Sequence, residues 1–456
     1  MKRNHTKIDE PDTDDDEHTD NEHTAILSNI LCNVNPHVVC VDHTLMQLYR
    51  EADLEDFTHE IDNQPAICDQ YQSGRCWMFA RLYPLRHAMI NKYKLSNKFD
   101  FSTSWLYFHD KYEKLVCAFR QISQYRDQPL RSPVMRSINY DDGGYCDGLY
   151  NIVNKYGIVP KSAYGESYHT KDTDHLDDIL HMFVQRYKHK IRAAPDEEQE
   201  EIIGRATEDS YKLLCSMLGE PPKTFNFSYH GTDGISKSHE VKHDKFKRRY
   251  LKHTSYTPKS FYEYVCKASK KSLLPAFCLI NDTSPDREYD TLYHGYHVKR
   301  NVYEAVPRKM LNISMTDMLD YIRKSIMEGV PVPVECDIST CNHSSSGLLI
   351  DGLYKYGAIL PVLGETLSKH EELRHSLTSI NHVVCVVGYN SVSGTWKIAN
   401  SWGSTHGKTG YLIADTAWMK KYVYSATVVR RLLSDSHRDI LDGEPAGEYG
   451  YDDMWD

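Results

Sequence analysis

The chain has 456 residues, of which 40% are hydrophobic and 26% charged, a composition typical of a soluble globular protein. Its net charge of −10 comes from the two ends of the chain, since residues 1–24 carry a net −6 and residues 434–456 a net −7. The intervening residues 25–433 carry a net charge of +3. A charge so near zero does not indicate nucleic-acid binding. No stretch approaches the ~18 apolar residues of a transmembrane helix, so no membrane association is expected.

The first 24 residues combine nine acidic residues with few apolar ones. They are predicted to form an acidic disordered tail, and they are too polar for a secretory signal peptide. The twelve cysteines are spread along the chain without a C-x-x-C pair, which predicts free thiols in a reducing, cytoplasmic compartment. Cys336, Cys341 and His343 have no second ligand pair at a usual spacing, so neither a metal nor an organic cofactor is expected.

Residues 25–170 are predicted to form a helix-rich half. The stretch CWMFARLYPLRHAMINKYKL, residues 76–95, predicts a helix that begins at or just before Cys76. Pro84 is expected to kink or interrupt this helix, because proline removes one backbone hydrogen bond. Residues 102–120 are also predicted to be helical.

Residues 171–300 are predicted to be a helical insertion with a connecting segment. Leu176, Ile179, Leu180 and Phe183 follow the spacing of one helix face, and Pro195 with the acids after it predicts a second helix start. The basic run at 242–253 has two interpretations. It is a nucleic-acid or acidic-partner patch, or it is a solvated loop or helix face. We favour the solvated loop or helix face, because a single run of charged residues is weak evidence for binding.

Residues 301–433 are predicted to form a β-rich half, and 434–456 an acidic C-terminal tail. The stretches NHVVCVVGYN and GTWKIANSWG predict a hairpin with a Ser-Val-Ser turn. If the turn is centred on Ser391, His382 and Asn400 face each other across the two strands, ~5 Å apart at Cβ. Because the predicted helices come first along the chain and the predicted strands come last, we expect an α+β protein in two halves.

Cys76 has the setting of an activated thiol. A helix N-terminus favours the thiolate, and a histidine oriented by an asparagine supplies the base. Considered alone, Cys76 is better explained as a buried structural thiol. Its partners elsewhere in the chain decide between the two interpretations.

DQYQSGRCWMFA, INHVVCVVGYN and WKIANSWGSTHGKTGYL resemble the catalytic segments of papain-like cysteine peptidases, in the form of the bleomycin hydrolase/aminopeptidase C family. DDGGYCDGLYNIVNKYGIVPKSAYGESYHT (141–170) and LGEPPKTFNFSY (218–229), among other segments, carry the likeness along most of the chain. The resemblance implies a papain-like fold of a helical half and a β-barrel-like half, with large helical insertions.

The resemblance also implies catalytic roles. Cys76 would attack the scissile carbonyl to form a thioester, and His382 would pair with the thiolate and then protonate the leaving amine. Asn400 would orient His382. Gln70 and the Cys76 N–H would form the oxyanion hole.

Substrate binding is implied at Gly143 and Gly144, whose lack of side chains lets a peptide backbone approach, while Trp402 would shield the Asn–His hydrogen bond. Family members place their C-terminal tail in the cleft, where the last carboxylate, here Asp456, meets the free amine of a peptide. The resemblance thus implies an aminopeptidase, and it implies a homohexamer with internal active sites.

Two alternatives remain open. If the acidic tail leaves the cleft open, the chain would act as a papain-like endopeptidase. If catalysis is vestigial, the chain would be an oligomeric scaffold that binds nucleic acid through the basic run at 242–253, which is the weaker hypothesis.

Overall fold

The structure is a computed structural model. It describes residues 17–50, 57–138, 140–230, 251–263, 276–295, 301–305 and 308–449. Their contacts divide them into a small unit, made of the described residues up to 50 together with 352–367, and a large unit that holds the rest.

The helices lie mainly in the first half of the chain. They are α1 (Glu17–Leu31), α2 (Pro36–Val39), α3 (His43–Arg50), α4 (Cys76–Tyr93), α5 (Thr103–Gln124), α6 (Pro133–Arg136), α7 (Cys146–Tyr156), α8 (Tyr168–Lys171), α9 (Asp174–Ala193), α10 (Gln199–Leu218), α11 (Pro258–Phe261), α12 (Met315–Met327), α13 (Lys369–Arg374), α14 (Thr416–Tyr422) and α15 (Asp435–Asp442).

The strands lie mainly in the second half. They are β1 (His59–Glu60), β2 (Phe225–His230), β3 (Leu251–Tyr256), β4 (Ala276–Ile280), β5 (Thr291–Gly295), β6 (Lys309–Asn312), β7 (Val332–Cys336), β8 (Asn342–His343), β9 (Leu348–Leu349), β10 (His382–Tyr389), β11 (Trp396–Ala399), β12 (Tyr411–Ala414), β13 (Val423–Val429) and β14 (Glu448–Tyr449).

The small unit contains α1 to α3. Asn35 caps α2, and the Asp42 side chain accepts the N–H groups of Thr44 and Leu45 at the start of α3. Because α1 begins at Glu17, residues 17–24 are helical where the sequence predicts disorder. The rest of that predicted tail lies outside the described residues.

Helix α4 is the central element of the helical half. Fourteen of its eighteen residues are buried, and it runs through Pro84 without a break. The predicted interruption is therefore wrong. A proline inside a helix costs ~3 kcal/mol, and packing along almost every face of α4 outweighs that cost.

Helices α9 and α10 form the predicted amphipathic pair. Of the predicted stripe, Leu176 and Leu180 are buried and Ile179 and Phe183 are half-buried, and Val184 and Ile191 continue the buried face of α9. The 3-10 turn Asp196–Glu198 leads into α10, which ends before Gly219 at a φ of +89°. The segment 171–300 is not helical throughout, because it also contains β2 to β5.

The described strands form one mixed sheet of twelve and a separate hairpin of β2 and β3. Eleven strands follow the order β14-β5-β6-β4-β13-β7-β10-β11-β12-β9-β8, and β1 pairs with β10. Strand β10 lies between β7 and β11, antiparallel to both.

The two halves of the large unit interlock at α4 and β10. Val383 of β10 belongs to the hydrophobic core of the helical half, whereas Tyr83 of α4 belongs to that of the sheet. A buried ion pair joins Arg81 of α4 to Glu335 of β7. The junction holds the N-terminus of α4 against the start of β10.

The predicted acidic tail, 434–456, is folded as far as the structure describes it. Helix α15 is followed by β14, which pairs in parallel with β5. Tyr449 is fully buried, and its hydroxyl donates to Asp282. Residues 450–456 lie outside the described part of the chain.

Within the described ranges, no helix is long and apolar enough to cross a membrane. Seven of the described cysteines are free thiols: Cys32, Cys40, Cys68, Cys76, Cys215, Cys336 and Cys385.

Candidate active site

Cys76 is the first residue of α4, where backbone N–H groups lack intrahelical acceptors and the helix dipole is positive. The residue as a whole is half-buried. Burial raises the pKa of Cys76, while the Val383 N–H, the Arg81 charge and the Trp77 N–H act in the opposite direction. Because Val383 directly follows His382, its hydrogen bond to the sulfur places the thiol beside the start of β10.

His382 is buried at the first position of β10, with Cys336 of β7 as its pairing partner. Its Nε2 donates to Oδ1 of Asn400 across 2.8 Å. That bond assigns the proton to Nε2 and leaves Nδ1 as the basic nitrogen. Burial lowers the pKa of His382 to about 4, although the bond to Asn400 acts to raise it.

The predicted cross-strand pairing of His382 with Asn400 is wrong. Cys385 pairs with Ala399 and Tyr389 with Trp396, and the register shifts at a bulge between Val386 and Gly388. The turn is also longer than three residues. The Asn390 N–H donates to the Thr395 carbonyl, and the Asn390 carbonyl accepts the Gly394 N–H. Gly394 takes a left-handed φ of +71°.

Asn400 instead lies just beyond the end of β11 and reaches His382 through its side chain. Oδ1 of Asn400 also accepts the N–H of Ser401 at 2.8 Å. The half-buried ring of Trp402 lies 4.8 Å from the His382 ring, between centroids, which is the position expected for a shield of the Asn–His bond.

The pKa shifts of the two groups favour a neutral pair in the free site. Burial raises the pKa of Cys76 and lowers that of His382 to about 4, so a thiol beside a neutral imidazole is favoured at pH 7. The ion pair expected from the resemblance is not supported by these shifts.

Gln70 is buried next to the start of α4. Its Nε2 donates to the Ser73 carbonyl at 2.7 Å, and its Oε1 accepts the Ser401 hydroxyl at 2.6 Å. Since an amide nitrogen carries two hydrogens, one N–H remains for a substrate oxyanion. The Cys76 N–H, at the first helical position, is the second predicted donor.

The two predicted substrate glycines differ. A Cβ on Gly144 would lie 2.3 Å from Cε2 of Trp77, whereas a Cβ on Gly143 would meet only the Asp141 side chain, at 3.3 Å. Gly144 is therefore required by packing against Trp77. Gly143 has room for a neighbouring backbone.

Arg75 and Glu166 were not predicted from the sequence. Arg75 is completely buried, and its Nη1 lies 2.9 Å from Oε2 of Glu166 and 3.2 Å from the Thr103 hydroxyl. Its Nε donates to the Ser73 hydroxyl at 3.0 Å. A charged residue directly before the nucleophile, where a helix begins, was the available signal.

Asp456 lies outside the described residues, as does most of the basic run at 242–253. In the part of the chain that the structure describes, no group of three or more His, Cys, Asp or Glu side chains is placed to hold a metal ion.

The fold and the site together define a papain-like cysteine peptidase, with cysteine on the helical half and histidine and asparagine on the sheet. The model of the Peptidase C1-like family matches residues 8–455, and the chain belongs to this family. The family resemblance found in the sequence is thereby confirmed.

Relatives of known identity cover most of the chain. Aminopeptidase C of Listeria monocytogenes is 29% identical over 411 residues, which is 87% of each chain. Bleomycin hydrolase of Homo sapiens is 28% identical over 422 residues, 85% of this chain and 86% of the relative. The crystal structure of PepW from Lactobacillus rhamnosis HN001 matches with a TM-score of 0.83 at 25% identity, covering 97% of this chain and 98% of PepW.

Proposed function

We propose that the chain is a cysteine aminopeptidase that hydrolyses the amide bond next to a free N-terminus through a thioester on Cys76. The observation that carries the proposal is the oriented His382–Asn400 pair beside the thiol, with Val383 donating to the sulfur.

The neutral pair suits a stepwise proton path. As the Cys76 sulfur bonds to the substrate carbonyl carbon, its proton passes to Nδ1 of His382. His382 gives that proton to the amine as the C–N bond breaks. Water then attacks the thioester, with His382 accepting its proton. The sulfur leaves, recovers that proton, and the carboxylic acid product is released.

The relatives named Aminopeptidase C support exopeptidase specificity. The described end of the chain is β14, which pairs with β5. We propose that Asp456, which lies beyond the described residues, binds the substrate amine by a charge-assisted hydrogen bond.

Free and N-blocked fluorogenic peptides test the proposal on the full chain, on a variant lacking residues 450–456, and on Cys76→Ala. We expect the full chain to cleave only the free peptide, the truncated chain to accept the blocked one, and Cys76→Ala to cleave neither. Equal cleavage of both peptides by the full chain would establish the endopeptidase alternative. Wild-type turnover by Cys76→Ala would refute the mechanism.

Two further properties are proposals from the family resemblance alone. The first is a homohexamer, which light scattering tests. The second is a cytoplasmic location, which cell fractionation tests. Salt-sensitive DNA binding without peptidase activity would favour the scaffold alternative instead.

A further inference from the structure

The peptide unit between Ser73 and Gly74 is held at both ends. Its carbonyl accepts Nε2 of Gln70 at 2.7 Å, and its N–H donates to Oδ2 of Asp142 at 3.1 Å. Because the peptide group is planar, fixing the N–H also fixes the direction of the carbonyl.

The close approach of Asp142 explains the glycine at position 74. A Cβ on Gly74 would lie 2.5 Å from the Cβ of Asp142, nearer than any two such atoms can come. The carboxylate therefore reaches this N–H only because residue 74 has no side chain.

Asp142 is itself held in a buried network. Its Oδ1 accepts the Tyr107 hydroxyl at 2.8 Å and lies 2.8 Å from Nζ of Lys111. The Lys111 side chain is fully buried, and its second ion pair is to Asp177 of α9, at 2.7 Å. Burial acts to raise the pKa of Asp142, but Lys111 overcomes it and the pKa lies well below its usual range. Asp142 is thus an anion at neutral pH, and its bond to the Gly74 N–H is charge-assisted.

The Gln70 amide depends on this arrangement. One of its N–H groups is taken by the Ser73 carbonyl, so the direction of that carbonyl sets the direction of the other N–H. A donor stabilises an oxyanion only if it points at the position where the charge develops.

We propose that Asp142 is a positioning residue for the oxyanion hole, which acts through the Gly74 N–H and the Ser73 carbonyl on the Gln70 amide, and that Lys111 maintains its charge. The inference rests on the proposed function, since it assigns a role in the same acyl transfer.

The first test compares Asp142→Asn, Gln70→Ala and the double variant. Loss of one oxyanion donor costs 10²–10³ in kcat, and a misdirected donor should cost part of that, so we expect Asp142→Asn to lower kcat about tenfold with KM nearly unchanged. The double variant should be no slower than Gln70→Ala. Alkylation of Cys76 by iodoacetamide forms no oxyanion, so its rate should stay at the wild-type value.

Asp100→Asn is the matched control, because Asp100 is also a buried carboxylate, with an ion pair to Arg86 at 3.1 Å. It should leave kcat per folded molecule unchanged. Wild-type kcat in Asp142→Asn, a loss that multiplies with that of Gln70→Ala, or an equal loss of alkylation would each overturn the inference.

Lys111→Met is the second variant, should Asp142→Asn fail to fold. Without the ammonium, burial raises the pKa of Asp142, so the carboxylate is protonated at higher pH. The acid limb of kcat should then move to higher pH, and an unmoved limb would overturn the inference. If the proposed function itself is wrong, the wild type will not turn over peptide, which separates the two failures.

Discussion

Nε2 of His382 donates to Oδ1 of Asn400 across 2.8 Å, although the two residues do not pair in the sheet. Asn400 follows the last residue of β11, where the chain leaves the strand and its side chain turns back to the ring. The hydrogen bond therefore depends on the bulge in β10 and on the end of β11 as much as on the residues themselves.

Asn400→Ala should lower kcat for a free peptide about 10²-fold, the lower end of what a positioned acid–base group contributes. The His382 ring would lose the acceptor that selects its tautomer. Steady-state kinetics measure the effect, and Asn226→Ala, exposed on β2, is the control. A kcat within twofold of wild type would show that Asn400 does not orient the ring.

His382 should make stability depend on pH. Its pKa in the folded chain is about 4, below the ordinary value of about 6.5, so the unfolded chain binds more protons between these two values. Stability therefore rises with pH through this window, and falls as the solution is acidified from pH 7 to pH 5. The loss due to His382 should be about 2 kcal/mol.

Urea unfolding at pH 7 and pH 5, for wild type and His382→Gln, isolates this contribution. The wild type should lose about 2 kcal/mol more than the variant over that interval. Equal losses in the two proteins would contradict the lowered pKa.

Arg75→Met should destabilise the large unit by about 3–5 kcal/mol, because it leaves Glu166 buried without its partner. Arg75→Met combined with Glu166→Gln should recover part of that loss. Denaturant midpoints measure both. Arg205→Met, which breaks an exposed pair with Glu201, is the control and should have a small effect. Equal midpoints for Arg75→Met and the control would contradict the expectation.

Alanine substitutions at Gly143 and Gly144 should separate packing from binding. Gly144→Ala should cost about 1–3 kcal/mol of stability, because its Cβ would overlap Trp77. Gly143→Ala should keep wild-type stability and raise KM, since its Cβ would occupy the space left for a peptide. Thermal unfolding and KM report the two effects, and a destabilised Gly143→Ala would contradict the assignment.

Much of the site was predictable because each of its residues lies in a short segment, and the neighbouring residues in that segment are enough to indicate its role. Cys76 at a helix start and His382 on an apolar strand need only a few neighbours to be identified. The α9–α10 pair was predictable for the same reason, since the apolar spacing of a helix face is a local property.

The register of β10 and β11 was not predictable. A single bulge shifts every later pair, and a bulge depends on the neighbouring strands. The continuation of α4 through Pro84 was also not predictable, because the packing that stabilises α4 comes from α5, α7 and the sheet. The directions of the Cys76 and His382 pKa shifts arise from burial, which no segment carries by itself.

By itself, the sequence determined the family, the α+β class, the thiol, its histidine and asparagine, and the paired helices of the insertion, because each depends on residue type and spacing along the chain. Only the tertiary structure decided the sheet register, the opposite directions in which burial shifts the pKa values of Cys76 and His382, and the Arg75–Glu166 and Lys111–Asp142 ion pairs. These features depend on distances between segments that are far apart in the chain and on the burial of the side chains involved.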